Sequence, residues 1–221
     1  MSMDFTDQRL SYEKGQLDQQ SVPASPFELL KAWMNEAIEE QVQEPYAMSL
    51  ATCGVDNKPS VRIVLMREIT DTGIVFYTNY ESAKGQDIAE NPNAEALFFW
   101  HKLERQIRIS GSIAKIDANK SAAYFQKRPH DSQVAAWVSQ PQSGEVANRT
   151  LMEQTFEQLQ TDYPIDSKVP TPEFWGGYEI TIEKIEFWQG RANRMHDRIV
   201  YTLDTSSEEG TANWTTKRLL P

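Results

Sequence analysis

Apolar residues near the start of the chain recur at the spacing of a helix. The segment that holds Ser25, Pro26 and Glu28 has the chemistry of a helix start, with a capping serine and a proline in the first turn. Pro45 marks the predicted end of this element. The apolar stripe consists of Phe27, Leu30, Met34, Ala37 and Ile38. The pattern predicts one amphipathic helix whose stripe faces the core.

From residue 46 onward the pattern changes to short runs rich in β-branched and aromatic residues, separated by glycine, asparagine and aspartate. The predicted strands are 46–52, 61–69, 74–79, 96–100, 106–116, 178–182, 185–188, 198–203 and 213–218. Helical patterns cover 82–90, 120–127 and 145–159. Short strands joined by tight turns favour a mainly β (α+β) fold, an antiparallel barrel with surrounding helices.

The first 24 residues are polar and lack a periodic apolar pattern, which predicts a mobile N-terminal arm. No linker or internal repeat divides the remainder. We therefore expect a single domain over residues 25–221.

The bulk composition narrows the class of protein. A formal net charge of -10 and a single cysteine, Cys53, favour a cytoplasmic protein without an internal disulfide. No apolar run approaches the roughly 20 residues of a transmembrane helix, and the first residues lack a signal-peptide pattern. Three scattered histidines argue against a structural zinc site. The absence of P-loop, GxGxxG and GxSxG motifs weakens nucleotide hydrolysis, a Rossmann dehydrogenase and a serine hydrolase.

The stretch IEFWQGRANRMHDR, residues 185–198, concentrates cations beside aromatic residues in an acidic chain. That contrast indicates a small anionic ligand rather than nucleic acid or a membrane, which would favour a broadly basic face. If residues 194–198 run extended, Arg194, His196 and Arg198 share one face of the strand. The alternative is an exposed strand with solvated charges.

Further segments hold groups that bind anions or planar rings. Arg62 and Arg67 are five residues apart and face opposite ways in a regular strand, so they would serve different ligand groups unless the strand is bulged. A strand feeds the helix start at Ser82, with Lys84 beside it, which suits an anion but also fits an ordinary capped helix. Gln106 begins a strand and offers an amide to a heterocycle, or only to water and backbone.

The segment YFQKRPHDS forms the last candidate. Tyr124 and Arg128 are i and i+4 and therefore share a helix face, and Pro129 ends the helix. Ser132 follows closely enough to reach the same spot. Tyrosine, arginine and serine at a helix end predict a site that clasps a phosphate.

These segments together closely resemble the pyridoxine/pyridoxamine 5'-phosphate oxidase family. The resemblance runs from about Arg9 to Pro221, nearly the whole chain. It is carried by IEFWQGRANRMHDR, RIVLMR, FYTNYESAKG, LERQIRISG, YFQKRPHDSQ and FWGGY.

The resemblance implies an FMN-binding split barrel and a homodimer with active sites at the subunit interface. The implied reaction converts pyridoxine 5'-phosphate or pyridoxamine 5'-phosphate to pyridoxal 5'-phosphate, as part of vitamin B6 biosynthesis and salvage. Dioxygen is the implied acceptor, hydrogen peroxide the by-product, and ammonia is released from the amine. No nucleic acid or membrane partner is expected.

The resemblance also assigns residues. The implied FMN contacts are Arg62, Ile63, Val64, Tyr77, Thr78, Lys84, Gln106, Gln142, Ser143, Trp188 and Arg198. The implied contacts with the substrate phosphate are Arg67, Tyr124, Arg128 and Ser132. Arg194 and His196 are implied over the reacting carbon as catalytic and substrate-binding residues, and Arg9 and Tyr12 belong to an N-terminal lid.

Two other functions stay open at this point. A flavin oxidase of the phenazine-biosynthesis kind would keep the flavin residues and lose the phosphate clasp, whereas Tyr124, Arg128 and Ser132 are all present. A carrier that stores pyridoxal phosphate or flavin would bind its ligand without consuming oxygen, and Arg194 and His196 argue against it.

Overall fold

The computed structural model of the chain describes residues 3, 4, 6, 11–205 and 213–221. The α-helices are α1 Pro26–Glu39, α2 Ala83–Glu90, α3 Ala118–Lys127, α4 His130–Val138 and α5 Arg149–Asp162. The strands are β1 Ala47–Cys53, β2 Pro59–Ile69, β3 Gly73–Asn79, β4 Asn93–Trp100, β5 Arg105–Lys115, β6 Trp175–Gln189, β7 Asp197–Asp204 and β8 Asn213–Arg218. Short 3₁₀ turns occupy His101–Leu103 and Ala192–Arg194.

The strands follow the order β3-β2-β1-β4-β5-β6-β7-β8, and β3 also pairs with β6. The additional pairing closes six strands into an antiparallel barrel, as the alternating apolar pattern predicts. Strands β7 and β8 continue from β6 as antiparallel neighbours.

The chain divides into two compact units. The first unit comprises Met1–Ser49, Ala96–Ser110 and Ile182–Pro221. The second unit comprises Leu50–Glu95 and Gly111–Thr181. The single domain over residues 25–221, preceded by an arm, stays a prediction.

In the second unit, two glycines of β6 allow aromatic side chains to approach the strand closely. A Cβ atom at Gly176 would lie 2.0 Å from the hydroxyl of Tyr80, and one at Gly177 would lie 2.5 Å from Ile116. A larger residue at either position would therefore force the Tyr80 or Ile116 side chain to shift. A buried cluster packs beside this part of β6, made of Phe125, Val134, Val169, Phe174 and Trp175.

In the first unit, α1 packs its apolar face into an aromatic core. Trp33 meets Phe187 of β6 edge to face, with ring centroids 5.2 Å apart, and Phe187 meets Tyr201 of β7 at 5.9 Å. The predicted stripe is confirmed at Leu30, Met34 and Ala37, which are buried. Ile38 is 57% exposed, so its place in the stripe is wrong.

Several predicted bounds differ from the structure. Helix α1 ends at Glu39 rather than at Pro45, because the chain turns at Gln41, which has φ 54°. The predicted strands 178–182 and 185–188 form one continuous strand, β6. Helix α4 was not predicted, because the proline that ends α3 also suits the start of the next helix. Among the described residues, no helix is long and apolar enough to cross a membrane.

Candidate active site

A cleft of about 330 Å³ opens in the second unit and is lined by three cations and several aromatic rings. Among the described residues, no carboxylate belongs to its lining. A cleft that gathers positive charge in an acidic protein is suited to an anionic ligand. Its lining residues are Ile63, Val64, Leu65, Arg67, Tyr77, Thr78, Asn79, Lys84, Tyr124, Arg128, Gln142 and Trp175.

Arg128 follows the last turn of α3 and points into this cleft. Its backbone N–H donates to the carbonyl of Phe125 at 3.1 Å, and its guanidinium lies over the Trp175 ring, 4.7 Å from the centroid. The Nη1 nitrogen is buried and has no hydrogen-bond partner among the described residues. Burial lowers the pKa of Arg128, Tyr124 opposes that change, and Arg67 adds to it. A buried donor of this kind is stabilised when an anion reaches it.

Three aromatic rings stack along the same wall. The ring centroids of Tyr77 and Tyr124 lie 3.8 Å apart, and those of Tyr77 and Trp175 lie 5.6 Å apart, both nearly parallel. Burial raises the pKa of Tyr77, with a smaller contribution from Glu68. The Tyr77 phenol therefore stays protonated at neutral pH and can donate a hydrogen bond.

Lys84 lies in the first turn of α2, whose N-cap is Ser82. Its ammonium donates to the oxygens of Thr78 at 3.1 Å, Ser82 at 3.0 Å and Gln142 at 3.0 Å. These partners are neutral, and burial, reinforced by the charge of Arg62, lowers the pKa of Lys84 from 10.5 to about 8. An ammonium without a carboxylate at a helix N-terminus favours a phosphate.

Arg67 lies at an irregularity in β2. The β2–β3 register shifts between Met66 and Glu68, so the strand is bulged where the cation enters the cleft. A bulge turns a side chain away from regular alternation. The irregularity thus coincides with the entry of Arg67 into the cleft, whereas Arg62, five residues earlier, does not line it.

Arg62 is not among the lining residues of the cleft. Its guanidinium donates to the Leu50 carbonyl at 3.2 Å, to Thr52 at 2.6 Å and to Ser60 at 2.7 Å. Asp87 of α2 lies 3.8 Å away. Burial lowers the pKa of Arg62, and Asp87 opposes that change.

Two other predicted residues of the second unit also lie outside the lining. Ser132 is half-buried in the first turn of α4, where its N–H donates to the Pro129 carbonyl at 2.9 Å. The Ser143 hydroxyl is exposed and accepts from the N–H of Ala83 at 3.4 Å. The predicted phosphate clasp is thus brought together at Tyr124 and Arg128, whereas Ser132 does not line the cleft.

In the first unit, three rings that the sequence singled out form one cluster. The centroids of Trp188 and His196 lie 4.6 Å apart, and Tyr12 lies 5.9 Å from Trp188 and 6.0 Å from His196. The cluster joins the N-terminal segment, the end of β6 and the loop before β7. Gln106 is half-buried near the start of β5. Arg9 lies outside the described residues.

The prediction that residues 194–198 run extended is wrong at its first residue. Arg194 ends a 3₁₀ turn and has φ 61°, and Asn193 has φ 56°, so both residues are in the left-handed region. Strand β7 begins only at Asp197, so alternation does not place Arg194, His196 and Arg198 on one face. Asparagine tolerates this conformation, which allows the chain to turn sharply before β7.

The cations of this loop have different surroundings. Arg194 is exposed, while Arg198 donates to both carboxylate oxygens of Glu186, at 2.8 and 3.0 Å, and to the Leu220 carbonyl at 2.9 Å. The hydrogen bonds that Arg198 donates to Glu186 raise the pKa of Arg198. His196 accepts from the backbone N–H of Arg191 at 3.1 Å through Nδ1, and partial burial, reinforced by Arg194, lowers its pKa. His196 is therefore neutral over more of the pH range than an exposed histidine.

Sequence reasoning missed two residues that shape the cleft. Asn79 fastens the loop after α4 by donating to the Ser139 carbonyl at 2.8 Å, and its own side-chain oxygen accepts from the N–H of Glu81 at 2.7 Å. Trp175 provides the ring beneath Arg128. The available signal was the tryptophan directly before two glycines.

Known proteins match this chain along almost its whole length. A family model described as pyridoxamine 5'-phosphate oxidase matches residues 34–162. A second model, described as the C-terminal dimerisation region of pyridoxine 5'-phosphate oxidase, matches residues 175–221. A relative from Psychrobacter arcticus, named pyridoxine/pyridoxamine 5'-phosphate oxidase, is 85% identical over 221 residues and covers 100% of both chains. A relative of the same name from Acinetobacter baumannii is 47% identical over 218 residues, 99% of this chain and 97% of its own.

Solved structures share the fold. PhzG from Burkholderia lata 383, in complex with tetrahydrophenazine-1-carboxylic acid, matches with a TM-score of 0.84 and 28% identity, covering 91% of this chain and 95% of its own. An FMN binding protein from Nostoc punctiforme, described as related to pyridoxamine 5'-phosphate oxidase, matches with a TM-score of 0.70 and 17% identity over 90% of this chain and 100% of its own. The predicted split-barrel fold class is confirmed.

Proposed function

Because the chain belongs to the pyridoxamine 5'-phosphate oxidase family, we propose that it oxidises pyridoxine 5'-phosphate or pyridoxamine 5'-phosphate to pyridoxal 5'-phosphate. FMN is the cofactor of this oxidoreductase, and dioxygen is the final acceptor, which leaves as hydrogen peroxide. The amine substrate also takes up water and releases ammonia. The reaction supplies pyridoxal 5'-phosphate in biosynthesis and salvage of vitamin B6.

The observation that carries this proposal is the buried, unpartnered Nη1 of Arg128 in a cleft whose described lining holds no carboxylate. A phosphate monoester offers the oxygens that such a guanidinium lacks. The Tyr124 hydroxyl and the Arg67 cation lie in the same lining and complete a site for an anion. We assign the substrate phosphate to Arg67, Tyr124 and Arg128, with the Ser132 hydroxyl as a further contact.

The second unit also fits the phosphate of FMN. Among the described residues, the partly buried Lys84 ammonium at the start of α2 is held by neutral oxygens, so a phosphate would supply its counter-charge. When bound, FMN supplies the two-electron acceptor for the reaction. The residues that would hold it are Arg62, Ile63, Val64, Tyr77, Thr78, Lys84, Gln106, Gln142, Ser143, Trp188 and Arg198.

Arg194 and His196 act at the reacting carbon in this proposal. The Arg194 guanidinium is exposed, so it can approach the substrate and stabilise the charge that develops on the substrate oxygen or nitrogen. His196, neutral and held by the Arg191 N–H, positions the substrate ring or helps to move a proton. Tyr12 and Arg9 cover the substrate from the N-terminal segment.

The chain forms a homodimer, in keeping with the match of residues 175–221 to a dimerisation region. We propose further that its active sites lie at the subunit interface, where residues of one protomer meet those of its partner. A single domain over residues 25–221 and a cytoplasmic location complete this proposal.

The test is product formation by the FMN-loaded protein, given pyridoxine 5'-phosphate in air. We expect pyridoxal 5'-phosphate and hydrogen peroxide in equal amounts, and oxygen consumption to match. A protein that binds FMN and pyridoxal 5'-phosphate but consumes no oxygen would be a carrier. Turnover of tetrahydrophenazine-1-carboxylic acid in place of pyridoxine 5'-phosphate would support the phenazine-type oxidase instead.

A further inference from the structure

Glu104 combines two features that are uncommon for a glutamate. It follows the 3₁₀ turn His101–Leu103 with φ 55° and ψ 40°, a left-handed conformation, and its side chain is buried, with 7% of the residue exposed. Non-glycine residues enter this region at a conformational cost, and glutamate is rarely buried without partners. Both features indicate that the surroundings hold this residue in place.

The carboxylate of Glu104 binds the backbone of the N-terminal segment. One oxygen, Oε2, accepts from the N–H of Glu13 at 2.8 Å and from the N–H of Lys14 at 2.9 Å. The Lys14 ammonium donates to the Lys102 carbonyl at 2.7 Å, two residues before Glu104. Hydrogen bonds to an ionised acceptor are stronger than neutral ones, so this carboxylate fixes residues 13 and 14.

The backbone carbonyl of Glu104 binds the segment that leads to the loop of Arg194 and His196. It accepts from the N–H of Gly190 at 2.7 Å and from the side-chain amide of Gln189 at 3.2 Å. A Cβ atom at Gly190 would lie 2.8 Å from the Cβ of Tyr12, so the tyrosine packs directly on this glycine. Glu104 thus joins the segment that carries Tyr12 to the segment that precedes His196.

A second carboxylate fastens the other end of the N-terminal segment. Asp197 accepts from the N–H of Leu17 at 3.0 Å, and its second oxygen accepts from Arg218 at 2.7 Å. Leu17 is buried. Two carboxylates therefore anchor the segment from residue 13 to residue 17, and Arg191 adds a bond to the Gly15 carbonyl at 3.1 Å. Glu104 is the carboxylate beside Tyr12.

We propose that Glu104 is a positioning residue for the oxidase reaction, because its carboxylate holds Tyr12 against Trp188 and His196 so that the N-terminal segment covers bound substrate. This inference rests on the function proposed above. Glu104 touches neither substrate nor cofactor in this role and acts through the backbone of residues 13 and 14.

The test uses two replacements of one side chain. Glu104→Gly removes the carboxylate, relieves the left-handed backbone and keeps the carbonyl that binds Gly190, so folding is retained. Glu104→Gln keeps a single neutral acceptor oxygen and should rescue part of the effect. Glu39→Gln, an exposed carboxylate at the end of α1 in the same unit, is the matched control.

The first measurement is trypsin cleavage after Lys14 in the FMN-loaded protein without substrate, followed by mass spectrometry. We expect cleavage to be about tenfold faster in Glu104→Gly, with an intermediate rate in Glu104→Gln. The reason is that a segment released from Glu104 binds in the active site of the protease more often. The control should match the parent protein. Equal cleavage rates in all four proteins would overturn the proposal.

The second measurement separates KM from kcat with pyridoxine 5'-phosphate. We expect KM to rise about fivefold to tenfold in Glu104→Gly while kcat changes by less than about twofold, because the covering segment contributes to binding. Parallel loss of kcat, FMN retention and Tm in both variants would overturn the positioning role and make Glu104 merely structural. If the parent protein does not oxidise this substrate, the proposed function fails, whereas the cleavage rates still decide whether Glu104 holds the segment.

Discussion

The cations of the second-unit cleft and those near the first-unit loop differ in what neutralises them. In the cleft, Arg128 has a buried nitrogen without a partner among the described residues, and Lys84 is held by hydroxyl and amide oxygens. Near the loop, Arg198 is bound by both carboxylate oxygens of Glu186. Burial lowers the pKa of Lys84 and Arg128, whereas hydrogen bonds donated to Glu186 raise the pKa of Arg198.

The direction of the pKa shift therefore separates two uses of positive charge. A buried cation without a carboxylate destabilises the empty protein, and an anionic ligand offsets that cost when it binds. A cation that has its own carboxylate fixes the shape of the backbone around it. Buried cations without a carboxylate partner are then expected to mark binding sites, and cations paired with a carboxylate are expected to stabilise the fold.

Arg128 is expected to give the largest effect if the comparison is right. In Arg128→Met, we expect kcat/KM for pyridoxine 5'-phosphate to fall about 10²- to 10³-fold, because charge-assisted hydrogen bonds to the phosphate are lost. FMN affinity should change by less than about threefold. The measurement is steady-state kinetics with FMN titration of the apoprotein.

The matched control is Arg149→Met, which removes an exposed arginine of the same unit that pairs with Glu153 in α5. It should leave kcat/KM unchanged within about twofold, since exposed ion pairs contribute little. If Arg128→Met lost stability without a change in KM, Arg128 would stabilise the fold rather than bind the substrate phosphate.

Arg194 is the exception within the first unit, since it is exposed and forms no hydrogen bond or ion pair with the rest of the described chain. We expect Arg194→Ala to lower kcat/KM about 100-fold while FMN affinity falls by less than about threefold, because the charge acts on the reacting atoms. Equal loss of activity and FMN affinity would indicate that Arg194 binds the cofactor rather than acting on the substrate. Met195→Leu, an exposed neighbour of similar volume, serves as the control.

Lys84 tests whether unbalanced charge lowers the stability of the empty protein. In Lys84→Met, we expect FMN affinity to fall about 10- to 100-fold, while the apoprotein melts at a higher temperature than the parent at pH 7. The two opposite effects follow from one cause, the loss of an ammonium that only a phosphate balances. Lys168→Met, which removes an exposed lysine of the same unit, should change neither quantity.

The pH dependence of this difference has a definite sign. The pKa of Lys84 is lowered from 10.5 to about 8, so the unfolded chain holds this proton more tightly than the folded chain. The destabilisation is complete below pH 8 and fades as the pH rises from about 8 to 10.5. The Tm difference between Lys84→Met and the parent should therefore shrink between pH 7 and pH 10. A constant difference would show that the charge of Lys84 is not its cause.

The fold could be predicted where local pattern and tertiary packing agree. The bounds of β8 and the stripe of α1 at Leu30 and Met34 follow from alternation and helical spacing alone. The division of β6 was wrong because polar residues at Glu183 and Lys184 interrupt the apolar pattern of a strand that continues through them. Pairing with β3 on one side and β7 on the other holds the strand together, and a local pattern does not contain that information.

The site could be predicted in its chemistry and less in its geometry. Tyr124 and Arg128 meet because helical spacing brings i and i+4 together. Arg194 departs from the predicted face because Asn193 turns the chain with a positive φ. An asparagine permits this conformation but does not require it, so the sequence alone does not predict the turn. Glu104 gave no signal, because its partners are backbone groups about 90 residues away along the chain.

Replacing Glu186 is expected to have the smallest effect on activity. It tests the cation that has its own carboxylate, Arg198. In Glu186→Gln, we expect the free energy of unfolding to fall by about 1–3 kcal/mol, because Arg198 loses an ionised partner that is buried, and Tm should fall by about 2–4 °C per kcal/mol in a chain of this size. FMN affinity should fall less than in Lys84→Met, since Arg198 keeps its bond to the Leu220 carbonyl. Glu153→Gln, which breaks the exposed pair with Arg149, should change the free energy of unfolding by less than about 0.5 kcal/mol. If Glu186→Gln instead left stability unchanged and removed FMN binding, balanced charge would also belong to the binding site, and the direction of a pKa shift would no longer distinguish the two regions.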